Sequence, residues 1–162
     1  IADDARFPFL SELLRVGSGL WIIGAPFNDP QVVRAEEILQ QLIVARYDEH
    51  YQFIEEHRQH GLPDLDQTLA CLNEAGLTTV VLPNGYLYHW LIGTALFFLL
   101  QWRFDDPELS NRVNAFYNSA FYRQDNREPS YRKVIVASQD SSDALLSLPN
   151  QLCSFQPPNP VN

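Results

Sequence analysis

The chain has 162 residues, of which 46% are hydrophobic and 19% are charged, and its net charge at pH 7 is −9. This composition is typical of one folded, soluble domain and excludes an intrinsically disordered chain. The excess of acidic residues disfavours general binding to nucleic acid and to anionic membranes, because charges of the same sign repel each other.

The first part of the chain predicts a short helix followed by a buried strand. Three leucines share one face of a helix over residues 7–16, and a Gly-Ser-Gly segment at residues 17–19 ends it. The apolar segment 20–24 predicts the strand. Residues 5–15 are amphipathic and charged, which is not typical of a signal peptide.

The longest predicted helix covers about residues 30–60. Asn28 can cap it, and Pro30 lies in its first turn, where the missing N–H of proline costs little. At about 1.5 Å per residue a straight helix of this length would span about 48 Å, so we expect a bend. The apolar stripe along its second half contains Ile43, Tyr47, His50, Ile54 and His57.

The middle of the chain predicts a helix over about residues 64–75, a strand over residues 78–82 and a turn at residues 83–85. Residues 86–90 can continue as the second strand of a hairpin, or they can begin the next helix. We favour a helix over about residues 88–104.

This next helix is apolar on almost every side. A membrane span needs about 20 apolar residues, whereas this run is shorter and contains His89. A helix that is apolar all round is normally enclosed by other elements of a folded domain. We therefore expect it to be the central helix and expect no membrane span.

The last part of the chain predicts a helix, a strand and a polar tail. Asp106 can cap the helix, and a polar linker at residues 124–130 separates it from an alternating strand at residues 132–138. Residues 139–162 form a polar, proline-rich C-terminal extension. Within it, residues 156–160 are expected to be extended or disordered.

Together these elements predict a predominantly helical α+β fold. About five helices surround the central apolar helix at about residues 88–104, and two to four short strands form a small sheet. Residues 1–138 are expected to form a single globular domain.

The common sequence motifs of catalysis are absent. The chain has no Gly-x-Gly-x-x-Gly, no phosphate loop ending in Gly-Lys-Ser/Thr, no Gly-x-Ser-x-Gly, no Cys-x-x-Cys and no His-Glu-x-x-His. Common nucleotide enzymes, elbow-type serine hydrolases and zinc ribbons are therefore not expected, and we predict no cofactor. Cys71 and Cys153 permit one disulfide. The absence of an Asn-x-Ser/Thr sequon favours the cytoplasm over secretion.

Three of the four histidines lie close together in the longest predicted helix. His57 and His60 can meet on one face as metal ligands, but zinc or iron needs three or four converging ligands and one helix usually offers two. A solvated helix end, where the dipole favours histidine, explains them without a metal. His50 lies on the apolar stripe, where burial against a carboxylate or carbonyl is common, and it is the candidate general base if the protein is an enzyme. For His89 we expect a place in the core or at the edge of a pocket before a catalytic role.

Basic and aromatic residues alternate between the last predicted helix and the last strand. Such a mixture can stack on bases and neutralise phosphates, or it can anchor a protein interface. The net charge opposes the first interpretation, so a protein partner is favoured. The candidate partner-binding residues are Tyr122, Arg123, Arg127, Tyr131 and Arg132.

The leading functional hypothesis is a non-enzymatic subunit that binds another protein or assembles with itself, in a structural or inhibitory role. Its acidic interaction surface would contain Glu36, Glu37, Glu55 and Glu56. One alternative is a small hydrolase that depends on His50, or on a metal bound by His57 and His60. The other alternative is a peripheral RNA-binding module that uses Arg123, Arg127, Arg132 and Lys133.

Overall fold

A computed structural model describes residues 2–104, 107–139 and 143–154. Over these residues the chain forms seven α-helices and one antiparallel sheet of three strands, which confirms the predicted class, a predominantly helical α+β fold. In chain order the elements are α1 (Asp3–Val16), β1 (Leu20–Ala25), α2 (Pro30–Tyr47), α3 (Gln52–His60), α4 (Leu65–Glu74), β2 (Thr78–Tyr86), α5 (Leu87–Phe104), α6 (Pro107–Ala120), a short 3-10 helix (Tyr122–Gln124), β3 (Ser130–Ser138) and α7 (Asp143–Ser154).

The central strand of the sheet is β3, which pairs antiparallel with both β1 and β2. Successive side chains of a strand point to opposite faces, so its apolar run is buried on both sides. Ile135 and Ala137 point to one face, where they share a core cluster with Trp21 of β1 and Leu72 of α4. This cluster joins the sheet to the helices on that side.

The opposite face of the sheet is covered by α7. Val80 of β2 and Val136 of β3 form a second core cluster with Leu145 of α7. Part of the predicted C-terminal extension, residues 139–162, is therefore a helix packed on the sheet. The proline-rich segment 156–160 lies outside the described residues.

The longest predicted helix is interrupted after Tyr47. Asp48 adopts the left-handed conformation, with a φ of 53°, and its N–H donates to the carbonyl of Val44 at 3.0 Å, which ends α2. The predicted bend is thus a complete break. Both helices nevertheless reach one core cluster, because Ile43 of α2 and Ile54 of α3 are buried together.

The apolar helix α5 follows β2 without an intervening loop. Leu87 and Phe98 are buried in clusters that also contain residues of α2. The expected enclosure on every side is incomplete, because Tyr88 is 52% exposed and Ile92 is 65% exposed. One face of α5 therefore packs on α2, and the other borders an open space. No helix in the described part of the chain is long and apolar enough to cross a membrane.

The helix expected after Asp106 is α6, which ends at Ala120. Asp106 itself lies outside the described residues. The side chain of Cys153 lies outside them as well, so the disulfide that the sequence permits between Cys153 and Cys71 is not tested. Cys71 is half-buried and is a free thiol among the side chains that the structure describes.

Candidate functional site

An open cleft with a volume of about 590 Å³ lies between α5 and α6. Pockets that bind small molecules usually have volumes of about 300–1,000 Å³ and mainly apolar walls. The apolar side chains along the body of this cleft include Trp90, Ile92, Leu96, Phe97, Val113 and Phe116. Polar side chains line the end where α5 leaves the sheet, and they include Asn84, His89 and Arg132.

A buried carboxylate holds a histidine at the polar end of the cleft. His89 lies in the first turn of α5, and its Nδ1 is 2.7 Å from Oδ1 of Asp125. Asp125 follows the 3-10 helix and is only 1% exposed, whereas the His89 side chain is 33% exposed. A carboxylate only accepts hydrogen bonds, so Nδ1 donates, and Nε2 of a neutral ring keeps a free lone pair. Nε2 is therefore the ring nitrogen that can still accept a hydrogen bond.

The second oxygen of the same carboxylate is also occupied. The hydroxyl of Tyr117, which lies on α6, donates to Oδ2 of Asp125. Burial and this hydrogen bond to a carboxylate raise the pKa of Tyr117 above its ordinary value, with burial the larger cause. Tyr117 consequently stays protonated at neutral pH and acts as a fixed donor, so that Asp125 has both oxygens satisfied.

Aromatic rings restrict the orientation of the histidine. The His89 ring makes edge-to-face contacts with Tyr86, at a centroid distance of 5.1 Å, and with Phe121, at 5.7 Å. Trp90 stacks on Tyr131 with centroids 3.6 Å apart and planes 9° apart. Ring contacts and a hydrogen bond to a carboxylate together hold the His89 side chain in one orientation.

A second buried carboxylate ties the wall of the cleft to the rest of the fold. Glu36 of α2 is 4% exposed, and its Oε1 accepts a hydrogen bond from the Tyr131 hydroxyl at 2.8 Å. The same oxygen is 2.8 Å from Nδ1 of His57 on α3. Burial, together with the negative charge of Glu36, raises the pKa of Tyr131. These contacts connect α2, α3 and β3 behind the Trp90–Tyr131 stack.

Several residues predicted to bind a partner occupy different environments. Glu36 and Tyr131 are buried, so neither side chain lies on the surface. Arg127 is exposed and its guanidinium lies 4.0 Å from the centre of the Tyr86 ring. The side chain of Arg123 lies outside the described residues. The remaining candidates are exposed or half-exposed, and they are Glu37, Glu55, Glu56, Tyr122 and Arg132.

The histidines of the predicted long helix do not form one site. His50 lies in the loop between α2 and α3, with its side chain 62% exposed, and it contacts Gln40 and Glu55. Its expected burial on an apolar stripe is therefore wrong, because the helix ends before it. His57 is held by Glu36. Within the described part of the chain, no group of three or more His, Cys, Asp or Glu side chains could hold a metal ion.

Sequence reasoning named His89 as a possible pocket residue but missed its partners. Asp125 lies in a segment that resembles an ordinary polar linker, 36 residues from His89. Tyr117 fits the apolar face of α6 and gives no local sign of a polar role. Only the packing of α6 against α5 brings these three side chains together.

Comparison of the chain with models of protein families, with curated proteins and with solved structures finds no match.

Proposed function

We propose that the protein binds a small, largely apolar organic molecule in the cleft between α5 and α6, and that His89 exchanges a proton with it. The observation that carries the proposal is the buried Asp125 carboxylate on Nδ1 of a histidine that lines this cleft. An acidic side chain is rarely buried this completely unless it orients another group or stabilises the charged form of that group. For the alternative in which the protein is a histidine-dependent enzyme, the proposed histidine is therefore His89 in place of His50.

The proton transfer would follow from the geometry of the pair. Nε2 of His89 would take a proton from the ligand or from a water molecule beside it, and Asp125 would stabilise the resulting imidazolium through Nδ1. The same nitrogen would return the proton when the ring becomes neutral again. A general base of this kind typically accelerates a reaction by about 10²–10⁴-fold.

Filling the cleft tests whether it binds ligands. A Cβ at Gly93 of α5 would meet no atom within 4 Å, so Gly93→Leu places its side chain in the open space without a clash. With the neutral fluorescent dye N-phenyl-1-naphthylamine as the probe, we expect this variant to bind at least about tenfold more weakly than the unmodified protein, since steric overlap of a few methylenes costs more than 1.4 kcal/mol. Fluorescence titration measures the affinity.

Gly93→Ala is the matched control for that experiment. It should bind the dye as the unmodified protein does and should unfold at a slightly higher temperature, because Ala exceeds Gly in helix propensity by about 1 kcal/mol. Equal dye affinity in Gly93→Leu and Gly93→Ala would contradict binding in the cleft.

A second proposal is a protein-binding role through an acidic surface. Its support is the net charge of −9 and the exposed carboxylates of Glu37 on α2 and Glu56 on α3. Glu55 contributes less, because it is only half-exposed, whereas Glu37 and Glu56 are exposed. The buried Glu36 is not part of this surface.

Charge reversal tests the acidic surface. The double variant Glu37→Lys and Glu56→Lys should bind the cationic probe poly-L-lysine at least about threefold more weakly at low salt, with the difference lost at high salt because of screening. The control reverses two exposed acids elsewhere, Glu12 and Glu74. An equal loss in the control would assign the effect to net charge alone and overturn a localised surface.

A further inference from the structure

We infer that the ligand of the cleft is an organic monocarboxylate with an aromatic or bulky aliphatic body, and that Arg132 receives its carboxylate. The inference rests on the proposed function, because it names the class of molecule that the same cleft would take. It follows from the positions and charges of the lining residues.

Three polar side chains of the cleft, those of Arg132, Asn84 and His89, lie at one end of it. Arg132 and Asn84 are directly opposite each other in the β2–β3 ladder, and both line the cleft. The amide of Asn84 donates to Asn126 at 3.4 Å, and Asn126 follows Asp125, the partner of His89. The end of the cleft where α5 leaves the sheet therefore contains the side chains of Arg132, Asn84 and His89. The remaining length of the cleft is mainly apolar, with the polar side chains of Thr94 and Asn114 among its lining residues.

The lining of that end carries one permanent positive charge and no carboxylate, although the protein is strongly acidic. Among the described residues that line the cleft, none is Asp or Glu, and Arg132 is the only one with a permanent positive charge. The carboxylate of Asp125 lies behind His89 with both oxygens engaged. An anionic group entering the cleft would therefore meet a cation and amide donors without an opposing carboxylate.

Arg132 is available for such a group. It is exposed, and no described carboxylate forms an ion pair with it, whereas Lys133, its neighbour in β3, is paired with Glu128. The planar guanidinium donates two parallel hydrogen bonds to a carboxylate, which a sulfur or hydroxyl group cannot accept in the same way. A carboxylate on Arg132 would place the body of the ligand between α5 and α6, with part of it beside Nε2 of His89.

A pair of probes of equal shape tests the charge of the ligand. The probes are 2-naphthoate, which is anionic at neutral pH, and 2-naphthamide, which is neutral, and each displaces the fluorescent dye from the cleft. We expect the unmodified protein to prefer 2-naphthoate. In Arg132→Gln its affinity should fall about tenfold, which corresponds to the loss of a charged, forked contact, while the affinity for 2-naphthamide changes less than about twofold.

Arg112→Gln is the matched control, because Arg112 is exposed on α6 and does not line the cleft. Unchanged urea-unfolding midpoints in both variants establish that the fold is intact. If both probes bind equally well, and Arg132→Gln affects neither, the carboxylate inference is overturned while the cleft remains a binding site. If neither probe displaces the dye although Gly93→Leu weakens dye binding, the carboxylate inference is likewise overturned while the cleft remains a binding site. If Gly93→Leu weakens the binding of neither the probes nor the dye, the proposed function itself fails.

Discussion

Replacing Asp125 by alanine is expected to lower the free energy of unfolding by about 2–4 kcal/mol, because two donors lose their common acceptor. The hydroxyl of Tyr117 and Nδ1 of His89 both bind this carboxylate, and Asp125 is 1% exposed, so water cannot replace it without rearrangement. Urea unfolding at neutral pH measures the change as a shift of the midpoint at constant slope.

The same variant should also change the protonation pattern of His89. In the unmodified protein we expect the neutral ring to carry its proton on Nδ1, which donates to Asp125. Without the carboxylate this preference disappears, and two-bond ¹H–¹⁵N correlations of the ring should report a different tautomer population. Asn126→Ala, in the adjacent half-buried position, should cost less than about 1 kcal/mol and leave the tautomer unchanged. An unmodified protein with the proton on Nε2 would argue against His89 as a base oriented by Asp125.

Replacing Glu36 by alanine is expected to destabilise the protein by about 2–4 kcal/mol, because two donors lose a common buried acceptor. The Tyr131 hydroxyl and His57 Nδ1 both lie 2.8 Å from Glu36 Oε1, and the variant leaves both without their acceptor. A cavity at a position only 4% exposed adds to the loss. Thermal or urea unfolding at pH 7 measures it.

Glu37→Ala provides the comparison, since Glu37 lies next to Glu36 on the same helix but is exposed and pairs with the exposed Arg34. Its cost should stay within about 0.5 kcal/mol. If Glu36→Ala and Glu37→Ala lose the same free energy of unfolding, the hydrogen bonds of Glu36 with Tyr131 and His57 contribute nothing to stability. The conservative variant Glu36→Gln keeps an acceptor for the Tyr131 hydroxyl, so it should lose less stability than Glu36→Ala.

The pH of the unfolding measurement matters because of Tyr131. Burial and the charge of Glu36 raise its pKa in the folded protein, whereas the unfolded chain has the ordinary value of about 10. The stabilising contribution of the protonated hydroxyl is therefore complete below about pH 10. It is lost as the pH rises above that value, because the unfolded chain then releases the proton first. Comparisons at pH 7 avoid this region.

Local signals were sufficient for most of the secondary structure. Asp64 accepts a hydrogen bond from the N–H of Gln67 at 2.8 Å, as its capping position predicts, and α4 begins there. The alternating run that ends at Ser138 is the central strand β3. Caps and hydrophobic periods act between residues a few positions apart, so they can be found without knowledge of the fold.

The path of the chain around Asp48 could not be obtained in this way. The helical spacing of the apolar residues between positions 30 and 60 fits a bent helix as well as two helices. The left-handed conformation of Asp48 separates them, and it places Ile54 against Phe98 of α5. The choice depends on contacts with a helix that begins about forty residues later in the chain, which no local pattern contains.

The candidate functional residues show more clearly which features depend on local sequence and which depend on tertiary contacts. The sequence by itself determined the helical α+β class, the order of the elements from α1 to β3 apart from the break at Asp48, and the strongly acidic charge, because these depend on composition and on short-range periodicity. The tertiary structure decided that Glu36 and Tyr131 are buried, that His50 is exposed and that Asp125 holds His89 beside a cleft. A carboxylate 36 residues from its histidine becomes its partner only when α5 and α6 pack together, since burial and hydrogen bonding are properties of neighbours in space.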